Sequence, residues 1–281
     1  MLLWSLSWAV AQQYIVDETY YGIKEGLSHR DIQCIAQDTQ GFIWIGTKYG
    51  LNRFDGYRFK WYTKENSRLQ SNEINHILKD KLGKFWLINT GAFFRKAVIS
   101  IDIFDPVTEE IKTFEQYFGE KKPFAAQDIA CFNQDEQNEI LFFTNDGRLS
   151  TFDGTFHLME NGLDQKGRIE NIHRSPTGFF WLVNFLPSAD PRKEECTLQL
   201  LAPNGRLIKN YYDPGFDFIM IYEFDQTGSC RFIQSKVNKN NGFFKITPDQ
   251  IRHPDTLAQK AFSRGKLDSQ PFTQLSKIKK K

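Results

Sequence analysis

Apolar residues in this chain come in short blocks, each closed by a small polar cluster, and the blocks recur. The clearest case runs from Gly26 to Thr47, GLSHRDIQCIAQDTQGFIWIGT. A half-apolar run, DIQCIAQ, leads into Asp38-Thr39-Gln40-Gly41, and a nearly all-apolar run, FIWIG, follows. Two such runs around a tight turn predict a pair of antiparallel strands. Four more turns align with the first: Asp80-Lys81-Leu82-Gly83, Asp135-Glu136-Gln137-Asn138, Ser175-Pro176-Thr177-Gly178 and Asp225-Gln226-Thr227-Gly228. Asp or Ser at the first position can cap the turn through its side chain. Pro176 stands where a φ of about −65° is wanted. The last position calls for positive φ, and it holds Gly four times and Asn once.

The runs after these turns are FIWIG, KFWLI, EILFF, FFWLV and SCRFI. Most are apolar on both faces, as in strands covered from two sides. The runs before them are looser: DIQCIAQ, EINHILK, DIACFNQ, RIENIHR and FIMIYEF. A second turn follows in each unit, at Asp55-Gly56, Asp105-Pro106, Asp153-Gly154, Asn204-Gly205 and Pro248-Asp249, flanked by further strand-like runs. The first turns start at 38, 80, 135, 175 and 225. Four strands per unit at a spacing of roughly 40–50 residues predict an all-β chain, a β-propeller of four-stranded blades, with five blades visible. One blade cannot bury both of its faces, so the blades must stack. The repeats occupy residues 12–253; the last blade lacks a clear fourth strand, so either Tyr14-Ile15-Val16 completes it or the blades form an open arc with exposed edges.

Composition changes this picture little. With 26 Phe and only 3 Met among 281 residues, the chain leans toward strands. Net charge is +2, but residues 254–281 carry seven Lys/Arg against two Asp/Glu, leaving 29 against 32 before them. That basic tail has no period and no interleaved aromatics, so it reads as a solvated terminus rather than a nucleic-acid contact. Residues 1–11 are mostly apolar and end in Ala9-Val10-Ala11, the pattern of a signal peptide. No later run reaches the roughly 18 apolar residues of a membrane-spanning helix. Export to the periplasm, or alternatively to the outside, is expected. Cys34 and Cys131 each lie four residues before a first-turn Asp, so they are expected to fill equivalent core positions as thiols.

The stretch GLSHRDIQCIAQDTQGFIWIGTKYGLNRFDGYRFKWY resembles the two-component regulator propeller repeat, found in the periplasmic sensor regions of hybrid histidine kinases, particularly in Bacteroidetes. The match covers the Gly-Leu-Ser opening, Asp38, Gly41, Trp44-Ile45-Gly46-Thr47, Gly50-Leu51 and Phe54-Asp55-Gly56. Later units keep Asp80, Gly83, Trp86 and Phe104-Asp105, then Asp135, Gly147 and Phe152-Asp153-Gly154, then Gly162-Leu163, Gly178 and Trp181. The resemblance implies an extracytoplasmic ligand-sensing module that recognises a glycan fragment, without a catalytic output or cofactor of its own. It also implies a histidine kinase partner, or C-terminal sensor domains beyond this chain. Similar sensors form seven-bladed rings, of which this chain would be either a part or a smaller stand-alone relative. Two alternatives are a propeller polysaccharide lyase and a protein-interaction scaffold or truncated sensor.

Turn spacing points to one face of the disc as the busier. The chain spends 17 and 18 residues between first and second turns in units one and three, but 25, 29 and 24 in units two, four and five. The extra residues are expected between strands two and three. The two clearest insertions are GAFFRKA (Gly91 to Ala97) and FLPSADPRKEE (Phe185 to Glu195). Variable loops on a rigid scaffold are where binding usually resides. The candidate ligand residues are therefore Phe93, Phe94, Arg95, Phe185, Arg192 and Lys193, with Tyr49 at the short equivalent in unit one. His29, Arg30 and Asn72 join them from the links between units. Trp44, Trp86 and Trp181 occupy one repeat position and are expected in the core. The first-turn Asp residues are expected to form turns. His76 and His173 lie four and two residues before a first turn, which at best places them along the central channel. No metal site or catalytic residue is expected.

Overall fold

The computed structural model describes residues 18–91, 98–159, 167–187, 194–212, 218–226, 228–236 and 239–246. Blade one contains β1 (Ile32–Gln37), β2 (Ile43–Thr47), β3 (Gly50–Phe54) and β4 (Phe59–Tyr62). Blade two contains β5 (His76–Lys79), β6 (Phe85–Thr90), β7 (Val98–Phe104) and β8 (Ile111–Thr113). Blade three contains β9 (Ile129–Gln134), β10 (Ile140–Thr144), β11 (Leu149–Phe152) and β12 (Phe156–Met159). Blade four contains β13 (Arg168–Arg174), β14 (Phe180–Pro187), β15 (Glu194–Leu201) and β16 (Leu207–Tyr212). Blade five has three strands among the described residues, β17 (Phe218–Phe224), β18 (Cys230–Lys236) and β19 (Lys239–Ile246). Among the described residues every sheet is an antiparallel meander in chain order, with no crossover.

The first turns close as their side chains require. Asp38 Oδ1 accepts the N–H groups of Gln40 and Phe42 at 2.9 and 3.0 Å. Asp80 accepts those of Leu82 and Lys84, and Asp135 those of Gln137 and Glu139. Ser175 accepts the N–H of Phe179, and Asp225 that of Ser229. The residue closing each turn has positive φ: Gly41 94°, Gly83 77°, Asn138 60°, Gly178 86° and Gly228 79°.

Four apolar clusters fill the four junctions between successive blades. Trp44, Leu51 and Tyr62 of blade one meet Phe85, Leu87 and Phe104 of blade two. Trp86 and Ile103 then meet Phe142 and Phe152, Leu141 and Phe143 meet Phe180 and Leu182, and Trp181 and Leu198 meet Ile219 and Ile221. The second strand thus points alternate residues at the blade before and the blade after. This is why β6 and β10 are buried along their whole length. Trp86 alone lies 5.0–5.9 Å from Phe114, Phe118, Phe142 and Phe152. Each buried Phe- or Leu-sized side chain contributes on the order of 2 kcal/mol. Meandering sheets stacked in this way form a β-propeller.

Two details depart from the sequence reading. The long interval between units two and three holds a short helix, α1 (Phe114–Phe118), in which the Thr113 hydroxyl accepts the Gln116 N–H at 3.1 Å. Its Phe114 caps the blade-two core. The second departure is Phe185, expected in a loop but found within β14, because the insertion lengthens the β14–β15 hairpin before it becomes a link. The four cysteines are thiols, and each packs at a blade junction. Burial pushes Cys34 up to about 12. Residues 1–17 and 247–281, with the signal-peptide, closing-strand and tail readings, lie outside the described residues.

Candidate functional site

Links between strands two and three meet the links between blades, and this contact recurs. In blade one, Lys48 N–H donates to Asp31 O at 3.2 Å, Gly50 N–H to Asn72 O at 2.5 Å, and Ile74 N–H to Thr47 O at 3.0 Å. In blade two, Thr90 N–H donates to Asn75 Oδ1 at 2.8 Å. In blade three, Asn145 N–H donates to Asp128 O at 2.7 Å. These contacts define one loop face.

Tyr49 stands on that face at the tip of the β2–β3 turn, 45% exposed. The turn is held from below by Thr47, whose hydroxyl accepts the Tyr49 N–H at 3.0 Å. His29 is half-buried, its Nδ1 accepting the Asp31 N–H at 3.0 Å. Arg30 is exposed, and Lys48 pairs with Asp31 at 3.3 Å. Asn72 is committed to its own loop: its Oδ1 accepts Lys64 N–H at 2.7 Å and its amide reaches Glu65 at 3.2 Å. Tyr49, His29, Arg30 and Asn72 therefore share one neighbourhood. Phe185 lies in blade four, half-buried beneath the Arg168 guanidinium at 5.1 Å. Phe93, Phe94, Arg95, Arg192 and Lys193 lie outside the described residues.

A second concavity lies on the axial side, where the first strands of blades two, three and four run side by side. It is a half-open cavity of about 280 Å³, lined by His76, Leu78, Cys131, Phe132, Asn133, Glu170, Asn171 and His173. Asn133 crosses from β9 to β13, donating to Ile172 O at 2.8 Å with His173 Nδ1 at 3.2 Å. His76 and Phe132 meet edge to face at 5.1 Å. Burial holds the His173 imidazole down to about 4, so it is neutral near pH 7. The sequence expectation of channel-lining positions covers the two histidines but not their neighbours Cys131, Phe132, Asn133 and Asn171. A signal existed: the positions two and four before the first turn read His76/Leu78, Cys131/Asn133 and Asn171/His173 in successive blades.

The first-turn carboxylates belong to the framework. Asp38 Oδ2 and Asp80 Oδ2 accept the indole N–H of Trp44 and Trp86 at 2.8 and 3.0 Å. Blade three has Leu141 where those blades have Trp, and the Asp135 carboxylate is met instead by Arg174 of blade four at 3.3 Å.

Residues 26–49 match the family described as two component regulator propeller. Histidine kinase P4 of Formosa agariphila is 50% identical over 38 residues, which is 14% of this chain and 3% of that protein. Among solved structures, the extracellular domain assigned to a hybrid two-component system of B. thetaiotaomicron is 16% identical, aligning 83% of this chain with 37% of that one at a TM-score of 0.37. Virginiamycin B lyase from Staphylococcus aureus is 11% identical, aligning 77% of this chain with 69% of that one at a TM-score of 0.46. The chain thus spans a small part of the kinase and little more than a third of the two-component domain. Residues 26–49, which hold the first turn with β1 and β2, are thus similar to one repeat of the two component regulator propeller family.

Proposed function

We propose that this chain is the ligand-sensing propeller of a two-component signalling system, exported to the periplasm, which binds a glycan fragment and acts through binding rather than catalysis. Its output passes to a histidine kinase, carried on the same polypeptide or a partner. The observation that carries this reading is the repeat at residues 26–49. It builds the blade whose short turn presents Tyr49 beside His29 and Arg30. Exposed aromatic and cationic groups on one rigid face suit a ring-bearing, hydroxyl-rich ligand: the ring packs on the aromatic while the cations donate hydrogen bonds. The insertion at 91–97 supplies further aromatics and cations to the same proposal, and that at 185–195 further cations.

A glycan array probed with the purified chain tests it. Binding to a restricted set of oligosaccharides, weakened in Tyr49→Ala and Arg95→Ala at unchanged melting temperature, is expected. An array with no bound glycan overturns the ligand assignment. Release of unsaturated product from a uronic-acid polymer would overturn the binding-only reading in favour of a lyase.

A further inference from the structure

We propose that the axial cavity between β5, β9 and β13 is a subsite for one neutral, hydroxyl-rich ring, the end unit of the glycan. The proposal rests on the glycan reading and adds where that glycan terminates. Volume decides the size. At about 280 Å³ the cavity lies just below the roughly 300–1,000 Å³ of drug-sized pockets, so it admits one ring and not a chain.

Its walls decide the chemistry. Phe132, edge to face with His76, and Leu78 give an apolar side suited to the C–H face of a sugar. Asn133 is locked by its bond to Ile172 O and by accepting Gln134 N–H at 2.8 Å, so it cannot swing away. Asn171 Oδ1 takes the Ile172 N–H at 2.9 Å, which leaves its NH2 group to donate to a hydroxyl. Charge is balanced within the wall. Glu170 is paired with Arg168, and the His173 ring is neutral, so neither of these two groups presents a free charge to an ion. Position links the cavity to the loop face. His76 opens β5 directly after the link that carries Asn72, and that link is tied to the Tyr49 turn.

The test uses the full chain. D-glucose, D-galactose and D-xylose are titrated singly while the histidine side-chain resonances are followed by NMR, and array-positive oligosaccharides are titrated into wild type, Asn171→Ala and Asn171→Asp. Asn171→Asp keeps the shape but removes the donors. The expected result is a saturable shift of the His76 resonance with at least one single sugar, His29 staying fixed, and at least tenfold weaker binding in both variants. No His76 shift with any sugar, or full-strength oligosaccharide binding in a folded Asn171 variant, overturns the subsite and leaves the sensing proposal standing if Tyr49→Ala still weakens binding. Absence of both sugar and oligosaccharide binding overturns the two together.

Discussion

Asp80 shows how much one residue settles. One carboxylate oxygen closes the turn by accepting two backbone N–H groups, and the other accepts the Trp86 indole at 3.0 Å. A single side chain therefore joins the turn that ends β5 to the aromatic that fills the junction with blade three. Replacing Trp86 by Phe keeps the ring but strips that oxygen of its donor in a buried place. We expect Trp86→Phe to lower unfolding free energy by about 1–3 kcal/mol in urea titration. Trp61→Phe, at a ring 43% exposed, should cost less. Equal losses would show that the buried indole contact contributes nothing particular. At this scale the sequence was readable in part. The capping role of the Asp residues and the core position of the Trp residues were both expected from the repeat. Their bond to each other was not, because it depends on where the second strand brings position six back over the turn.

Elements here are set by a few backbone positions whose demands differ. Gly41 needs positive φ, yet a Cβ there would meet nothing within 4 Å. Gly46 in β2 has the opposite problem: a Cβ would stand 2.4 Å from Cys34 Sγ and 2.8 Å from Ile74 O. Gly41→Ala should therefore cost about 1 kcal/mol through backbone strain alone. Gly46→Ala should cost more, about 2–3 kcal/mol, since β1 and the link before β5 must both move. Thermal melts of the two variants decide this, and a smaller loss at Gly46 would contradict the packing. The five turns and the strands around them were legible because each turn is closed by groups within five residues of one another. Helix α1 was not, because Thr113 and Gln116 form a short cap inside an irregular interval. Phe185 reads as loop from the sequence because nothing local tells a lengthened hairpin from an insertion.

Across the whole molecule, charged groups tie blades that are far apart in sequence. Glu139 of blade three pairs with Lys81 of blade two at 2.7 Å and with Arg174 of blade four. Burial would raise its pKa, but the hydrogen bonds from Lys81 and Arg174 prevail and hold it below the usual range. A depressed carboxylate contributes stability that is present above its unfolded pKa and lost as pH falls through the folded one. Glu139→Gln should therefore destabilise the protein at neutral pH, by up to about 1 kcal/mol, with the gap closing in acid. Asp80 has the reverse sign. Burial, partly offset by the Trp86 indole and the turn N–H groups, raises its pKa. Its contribution is then greatest below the unfolded carboxylate value and falls as pH rises toward the folded one. Relative to Asp80→Asn, the wild type should hold its largest margin in acid. Melting curves of both variants across the carboxylate range check the two signs together, and parallel behaviour would refute the assignment.

What the sequence determined by itself is the blade: turn, strand pair, second turn, and which residues of the second strand lie inside. Those features arise from φ preferences, side-chain caps and a two-residue alternation, all of which act within a few positions. What tertiary structure decided is which blade meets which group. Arg174 reaches Asp135 across 39 positions, and Asn133 reaches the Ile172 carbonyl at the same remove. The axial cavity needs three first strands at once, and each of them read alone is an ordinary half-polar strand. Such meetings depend on the angle and spacing at which blades stack. That geometry is set by the combined volume of Trp, Phe and Leu in each junction, a property of facing surfaces that no stretch of sequence holds alone.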